Sequence, residues 1–270
     1  MTTVSPPQTQ INSVIALYSN GQIQEALDSV ETLTKDYPNE PFLYNISGVC
    51  YKAIGQLDVA VKSFEKALAL KPDYTEAHNN LGIVLMELGK HDSAVVHYEK
   101  ALVIKPDYAE AHNNLGAAFH KLGQVDAALK CYKNALAIKP DYAEAYANRG
   151  NVLLDLKRMD EALASYESAI ALDPDLDWML GNSLHTKMHL CIWDDLANRL
   201  NELTKKINNG EKVVNPFPLL ALIDDPGIQR KTAEIYANER YPQSHALPKI
   251  ERYPKHKKIR IGYFSADFKN

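Results

Sequence analysis

A 34-residue pattern that repeats along the chain decides the fold. Residues 75–108 read TEAHNNLGIVLMELGKHDSAVVHYEKALVIKPDY, and residues 109–142 read AEAHNNLGAAFHKLGQVDAALKCYKNALAIKPDY. Prolines keep the same step of 34 over a longer stretch, at Pro38, Pro72, Pro106, Pro140 and Pro174. Self-similarity at one fixed period of this size is typical of a solenoid of stacked repeats.

The residues that recur within each repeat predict a helical hairpin. In the unit 75–108, Gly89 predicts a helix end, since glycine adopts the positive φ of a C-cap. Gly82 has no side chain, so that a neighbouring helix can approach its backbone closely. Ala94 is small for the same reason, and Tyr98, four residues later, is expected to fill the space beside it. Such a hairpin cannot bury its own apolar face and must stack on its neighbours.

This pattern resembles the tetratricopeptide repeat. Five units fit it, at 7–40, 41–74, 75–108, 109–142 and 143–176. A degenerate sixth is expected at 177–210, where Leu184 and Cys191 replace the two glycines. The predicted fold is therefore all-α, a right-handed tetratricopeptide superhelix followed by a mostly helical or irregular junction at 211–258. Residues 1–6 are expected to be a disordered tail.

Composition narrows the function classes. The chain has 270 residues, a net charge of -4 and three widely spaced cysteines, which is typical of a reduced, intracellular protein and predicts a cytoplasmic location. Its apolar runs are far shorter than the ~20 residues that a membrane helix needs. A pI near 6.1 argues against nucleic-acid binding. No nucleic acid and no membrane are therefore expected as partners.

One register of the repeats is rich in asparagine. The sixth residue of the units is Asn12, Ile46, Asn80, Asn114, Asn148 and Asn182, and Asn79 and Asn113 lie beside two of them. In a tetratricopeptide array the first helix of each unit lines a concave groove. A primary amide offers one acceptor and two donors, which suits the backbone of an extended peptide. The seven asparagines are therefore predicted to form a peptide-binding groove. The alternative is that they satisfy polar groups in the packing between repeats.

The sequence offers little that could carry catalysis. His185 and His189 are four apart on an expected helix, a spacing that can place two imidazoles on one metal, but no third ligand is near. His78 and His112 occupy a position usually held by a large aromatic residue and are expected to be packing residues. Because no phosphate loop, nucleophile elbow or cysteine-pair zinc motif is present, we expect no catalytic residue, cofactor or metal in this chain.

Three stretches in the C-terminal third carry a closer resemblance. They are NSLHTKMHLCIWD at 182–194, PFPLLALIDDP at 216–226 and IRIGYFSADFKN at 259–270. In this order after tetratricopeptide repeats, they resemble the junction between repeats and catalytic region in bacterial O-GlcNAc transferase and SPINDLY-like enzymes. The resemblance implies that 259–270 is the first strand of a GT-B N-terminal lobe. In that family a catalytically important histidine comes next, which this sequence does not reach. The apolar stretch 216–223 is expected to pack on that lobe and to be exposed or disordered without it.

These observations predict an acceptor-recognition arm that is not itself an enzyme. The resemblance implies a glycosyltransferase parent that uses UDP-GlcNAc or another nucleotide sugar such as GDP-fucose. Acceptor proteins or extended peptides are the expected partners, and the convex repeat surfaces are a possible route to a homo-oligomer. The alternative is a stand-alone tetratricopeptide adaptor with no enzymatic context.

Overall fold

The structure is a computed structural model that describes residues 6–240, and every regular element in that range is an α-helix. The helices are α1 (Gln8–Ser19), α2 (Ile23–Asp36), α3 (Pro41–Ala53), α4 (Leu57–Leu70), α5 (Thr75–Glu87), α6 (His91–Ile104), α7 (Ala109–Lys121), α8 (Val125–Ile138), α9 (Ala143–Asp155), α10 (Met159–Leu172), α11 (Met179–His189), α12 (Leu196–Asn208), α13 (Pro216–Leu222) and α14 (Pro226–Arg240). The first ten form five helix pairs that coincide with the five predicted units. The predicted all-α repeat fold is confirmed.

The turn inside each helix pair uses a residue in the left-handed conformation. Gly21, Gly55, Gly89 and Gly123 have φ between +72° and +76°, as predicted for a C-cap glycine. In the fifth and sixth pairs the same position is held by Lys157 and Cys191, with φ of 58° and 57°. The repeat geometry therefore imposes on two side-chain-bearing residues a conformation that costs roughly 1 kcal/mol or more.

The second recurring glycine makes room for an aromatic ring. A Cβ on Gly116 would lie 2.7 Å from Cε1 of Tyr132, a ring that is 1% exposed. The same pairing joins Gly48 to Phe64, Gly82 to Tyr98, and Gly150 to Tyr166. The predicted close approach is thus an aromatic ring of the second helix seated on the bare backbone of the first.

The array of helix pairs is curved, with the first helix of each pair on the concave side. Helix α5 contacts both α3 and α7, and α7 contacts α9, whereas contacts between successive second helices are sparser. Because the first helices lie closer together, they line the inside of the curve. We call the surface formed by α3, α5, α7 and α9 the inner face, and that formed by the second helices the outer side.

Helices α11 to α14 share a separate hydrophobic cluster. The segment at Val213 and Val214 lies against Gly181 of α11, whose backbone N–H donates to the Val213 carbonyl at 2.8 Å. Leu219 of α13 is fully buried in this cluster. The expectation that 216–223 is exposed or disordered without a catalytic lobe is therefore wrong for the face that carries Leu219, because α13 is a helix that packs on α11. Its opposite face is open, with Phe217 80% exposed and Leu220 58% exposed.

Several predictions concern the chain ends. The predicted strand at 259–270 and, apart from Pro6, the predicted disordered tail lie outside the described residues. Across 6–240, no helix is both long and apolar enough to cross a membrane.

Candidate functional site: the inner face

Three amide–amide hydrogen bonds join neighbouring first helices on the inner face. In each, the side-chain nitrogen of one asparagine donates to the side-chain oxygen of an asparagine 35 residues earlier: Asn80 to Asn45 at 3.2 Å, Asn114 to Asn79 at 3.1 Å and Asn148 to Asn113 at 3.0 Å. We call these three bonds the amide ties. They connect the second to the third repeat, the third to the fourth, and the fourth to the fifth.

The two partners of each tie differ in exposure. The acceptors Asn79 and Asn113 are buried, whereas the donors Asn80, Asn114 and Asn148 are half-buried. Each donor amide has two hydrogens and one oxygen, and within the described hydrogen bonds it uses one hydrogen only. The second hydrogen and the carbonyl oxygen of each donor amide therefore remain available for a further hydrogen bond. The packing interpretation therefore applies to both partners of each tie, and the groove interpretation stays a prediction for the half-buried donors.

The structure does not extend this row to its two predicted ends. Asn12 is exposed and accepts a hydrogen bond from Gln8 Nε2 at 2.9 Å within α1. Asn182 lies in the first turn of α11, but the preceding repeat has Ala147 where the second, third and fourth repeats have the acceptor asparagine. Among the described residues no amide tie forms at Asn182. The structure brings together five of the seven predicted asparagines, those in α5, α7 and α9. Peptide binding by these residues stays a prediction.

A second row of contacts follows the amide ties two turns further along the first helices. Lys52 Nζ lies 3.2 Å from Glu87 Oε1, and His120 Nε2 lies 2.7 Å from Asp155 Oδ2. Both pairs are separated by 35 residues, as in the amide ties. Seven residues at 1.5 Å each place this row about 10 Å from the first. Sequence reasoning missed it, although complementary residues at a spacing of 35 were the available signal.

The linkers between repeats hold a tyrosine beside the amide ties. Tyr74 and Tyr142 immediately precede α5 and α9, and burial, with neighbouring glutamates, raises the pKa of each to about 12. Their hydroxyls therefore stay protonated at neutral pH. Lysine ammonium groups stack over the linker rings, with Nζ-to-centroid distances of 5.1 Å for Lys71–Tyr74, 5.1 Å for Lys105–Tyr108 and 4.6 Å for Lys139–Tyr142. This contact fixes the approach to each first helix.

The histidine pair of α11 lies at the other end of the array. The rings of His185 and His189 pack edge to face at 4.5 Å between centroids. Within 6–240, no three His, Cys, Asp or Glu side chains lie together in a way that could hold a metal ion. His112 behaves as a packing residue, with Nε2 3.0 Å from the Pro106 carbonyl.

Family models recognise the repeats directly. Residues 48–89, 84–123 and 118–157 match the model described as TPR repeat, and residues 143–176 match the tetratricopeptide repeat model. Residues 48–176 of this chain carry tetratricopeptide repeats. No curated protein matches it.

Solved structures show the same fold. PilW, a type IV pilus biogenesis factor, is 21% identical with a TM-score of 0.68, covering 74% of this chain and 93% of its own. TTC0263 from Thermus thermophilus is 24% identical with a TM-score of 0.56, covering 68% and 98%. YrrB, whose crystal structure is described as having an unusual peptide-binding site, is 24% identical with a TM-score of 0.53, covering 66% and 90%. At these identities the likeness concerns the fold alone.

Proposed function

We propose that the inner face binds an extended polypeptide through its backbone. The row of amide ties supports this proposal. In each tie, one hydrogen of the donor amide already forms a hydrogen bond to the neighbouring repeat. That bond fixes the amide plane of Asn80, Asn114 and Asn148 before any ligand arrives. The remaining hydrogen and oxygen match the C=O and N–H of a peptide unit, and preorganisation lowers the cost of binding.

The proposal is tested with a labelled 15-residue peptide of alanine, serine, threonine and valine, and with its depsipeptide analogue. The analogue replaces alternate backbone N–H groups by ester oxygens and keeps every side chain. We expect weaker binding of the depsipeptide, and a fall of roughly 100-fold for Asn80→Ala/Asn114→Ala/Asn148→Ala, at ~1 kcal/mol per lost hydrogen bond. Fluorescence anisotropy measures both.

Asn134→Ala is the matched control, because Asn134 is also half-buried but lies on α8, a second helix. It should leave the affinity unchanged. Circular dichroism at the assay temperature verifies that each variant is helical. Equal affinity of the helical triple variant and the parent chain would remove the amide row from the mechanism.

We further propose that this face recognises acceptor proteins for an O-GlcNAc-transferase-like glycosyltransferase whose catalytic region lies outside this chain. Support comes from the three C-terminal stretches quoted above, whereas the comparisons support the repeats only. Incubation of this chain with tritium-labelled UDP-GlcNAc and mixed proteins should transfer no label, and incorporation would contradict the proposal. A natural reading frame that runs past Asn270 into an α/β region would support it.

A stand-alone adaptor is the second candidate, and the C-terminal cluster favours it. Residues 213–214, α13 and α14 pack on α11 and α12 and close the end of the array with the chain's own apolar residues. A stop codon directly after Asn270 in the natural gene would decide for this candidate.

A further inference from the structure

The outer side carries a large groove between α4 and α6. Its volume is about 920 Å³, within the range of ligand-binding clefts. Leu81 of α5 lies at its floor and is 2% exposed, and its walls are Leu68 of α4 and Val96 and Val103 of α6. We call this cleft the α4–α6 groove. It lies on the opposite side of the array from the amide ties.

Helix α6 departs from the other second helices at the two residues that face this groove. The position of Val96 is held by Lys62, Lys130 and Ala164 in the neighbouring repeats, and that of Val103 by Ala69, Ala137 and Ala171. Val103 is 82% exposed and Val96 is 47% exposed. Because three other repeats build the same hairpin without either valine, the fold does not require them. With Leu68 and Leu81 they give the groove a continuous apolar lining that a docked helix would cover.

Two histidines in the lining of the groove, His78 and His97, are paired with each other. His78 Nε2 lies 3.0 Å from the Pro72 carbonyl oxygen, and His78 Nδ1 lies 3.0 Å from His97 Nδ1. A carbonyl can only accept, so His78 donates from Nε2 and its Nδ1 accepts from His97 Nδ1–H. This tautomer leaves His97 Nε2 as an acceptor. Burial lowers the pKa of both rings, that of His97 to about 4, so the pair is neutral at pH 7.

The charge around the groove is acidic. Glu65, Asp73 and Glu99 line it together with one cation, Lys100, so three negative charges face one positive charge. A second cleft, between α8 and α10, has the opposite sign, with Lys130, Lys133, Arg149, Arg158 and one carboxylate, Glu161. Both clefts lie between successive second helices, but their charge differs. The α4–α6 groove therefore selects a basic partner.

We propose that the α4–α6 groove binds an amphipathic helix of another protein, one that presents apolar side chains flanked by lysine or arginine. Val96 and Val103 are seven residues apart, so they stand two turns apart on one side of α6 and meet apolar residues at a matching two-turn spacing on the incoming helix. Glu65 and Glu99 pair with its flanking cations, and His97 Nε2 accepts from one of their N–H groups. This site is independent of the inner face.

The test uses the full chain and a fluorescein-labelled 14-residue peptide of leucine and lysine, with leucines on one helical face. A second peptide carries glutamate in place of every lysine. We expect binding of the lysine peptide and at least a 5-fold loss with Val96→Ala/Val103→Ala. This variant carries the residues that Ala164 and Ala171 supply in the fifth repeat, so the hairpin is retained and no charge changes. Glu65→Gln/Glu99→Gln should weaken the lysine peptide and strengthen the glutamate peptide.

Two controls separate this site from others. Val59→Ala removes a partly exposed valine of α4 that does not line the groove, and it should leave the affinity unchanged. Asn80→Ala/Asn114→Ala/Asn148→Ala should also leave it unchanged, and loss in that variant alone would place the peptide on the inner face and overturn the proposal. Equal binding of the parent chain and the double valine variant would overturn it as well. Self-association that the double valine variant abolishes, without binding of the lysine peptide, would assign the groove to a second copy of this chain instead.

Discussion

Asn148 Nδ2 donates to Asn113 Oδ1 across 3.0 Å, and this bond joins the first helices of the fourth and fifth repeats. Asn113 is 6% exposed, so water cannot easily replace the partner that it would lose. The pair is therefore part of the packing between repeats, whatever else the inner face binds.

Replacing Asn113 by alanine should lower the free energy of unfolding by about 1–2 kcal/mol, because Asn148 loses its acceptor in a partly buried place. In a double-mutant cycle with Asn148→Ala, we expect a coupling energy of ~0.5–1.5 kcal/mol. Urea denaturation followed by circular dichroism measures both values. Asn201→Ala, at an exposed position of α12, is the control and should change stability by less than ~0.5 kcal/mol. Strict additivity of the two single variants would contradict the tie.

Replacing Gly116 by alanine should cost about 1–3 kcal/mol, since the new Cβ would overlap the Tyr132 ring in a packed core. Tyr132→Leu removes that ring and opens space for the methyl group. The double variant should therefore lose less stability than the sum of the two single variants. Thermal unfolding of the four proteins tests this, and a loss equal to the sum would show that the ring is not the obstacle.

Replacing Lys157 by glycine should stabilise the chain by roughly 0.5–1 kcal/mol, because glycine adopts a φ of 58° without the strain that a Cβ introduces. Lys157→Ala keeps the Cβ and should bring no such gain, which separates backbone strain from the loss of the charged side chain. Chemical denaturation of the three proteins in parallel gives the comparison. A gain of the same size in both variants would point to the lysine charge instead.

Stability should fall as the pH is lowered from about 6.5 toward about 4, in part because of His97. Burial, and then the proximity of His78 and Lys100, lowers the pKa of His97 in the folded chain from 6.5 to about 4. In this window the unfolded chain binds the extra proton and the folded chain does not, so acid favours unfolding. His97→Ser, which installs the residue found at Ser63 and Ser165, should flatten this part of the melting-temperature profile. An unchanged slope between the two proteins would show that His97 does not contribute.

Cysteine labelling of the native chain should be confined to one site. Cys50 and Cys131 are buried, and burial raises the pKa of each thiol to about 11, whereas Cys191 is exposed. Since the thiolate is the reactive species, we expect rapid modification of one thiol by iodoacetamide at pH 8. Cys191→Ser should abolish the rapid phase, and mass spectrometry identifies the modified peptide. Labelling of Cys131 at the same rate would contradict the burial of that residue.

The sequence predicts most of the repeat architecture because one period fixes several residues at once. Gly82 and Tyr98 are sixteen apart in the chain, and a glycine and an aromatic residue recur at this spacing in the second to fifth units, so that their contact follows from the pattern alone. The left-handed turn at Lys157 does not follow from its residue type. It could have been found only from the position of Lys157 in the period.

The candidate site was harder to predict because its contacts cross between repeats. The pattern gives no reason to include Asn45 in the row, because the sixth residue of its unit is Ile46 rather than asparagine. A spacing of 35 residues, one more than the period of the repeat, identifies the donor and the acceptor of each amide tie. The His78–His97 contact could not be found in this way, because His97 has no histidine counterpart in the other repeats.

The missing tie at Ala147 changes what joins the fifth repeat to α11. On the outer side, an ion pair links Lys187 Nζ to Glu167 Oε1 at 2.8 Å, while on the inner side Ala147 cannot accept a bond from Asn182. Apolar packing replaces the tie there, because Met179 of α11 shares a buried cluster with Ala147 and Tyr166. The polar row of the inner face therefore stops at Asn148, and the boundary that follows is held by contacts without directional preference.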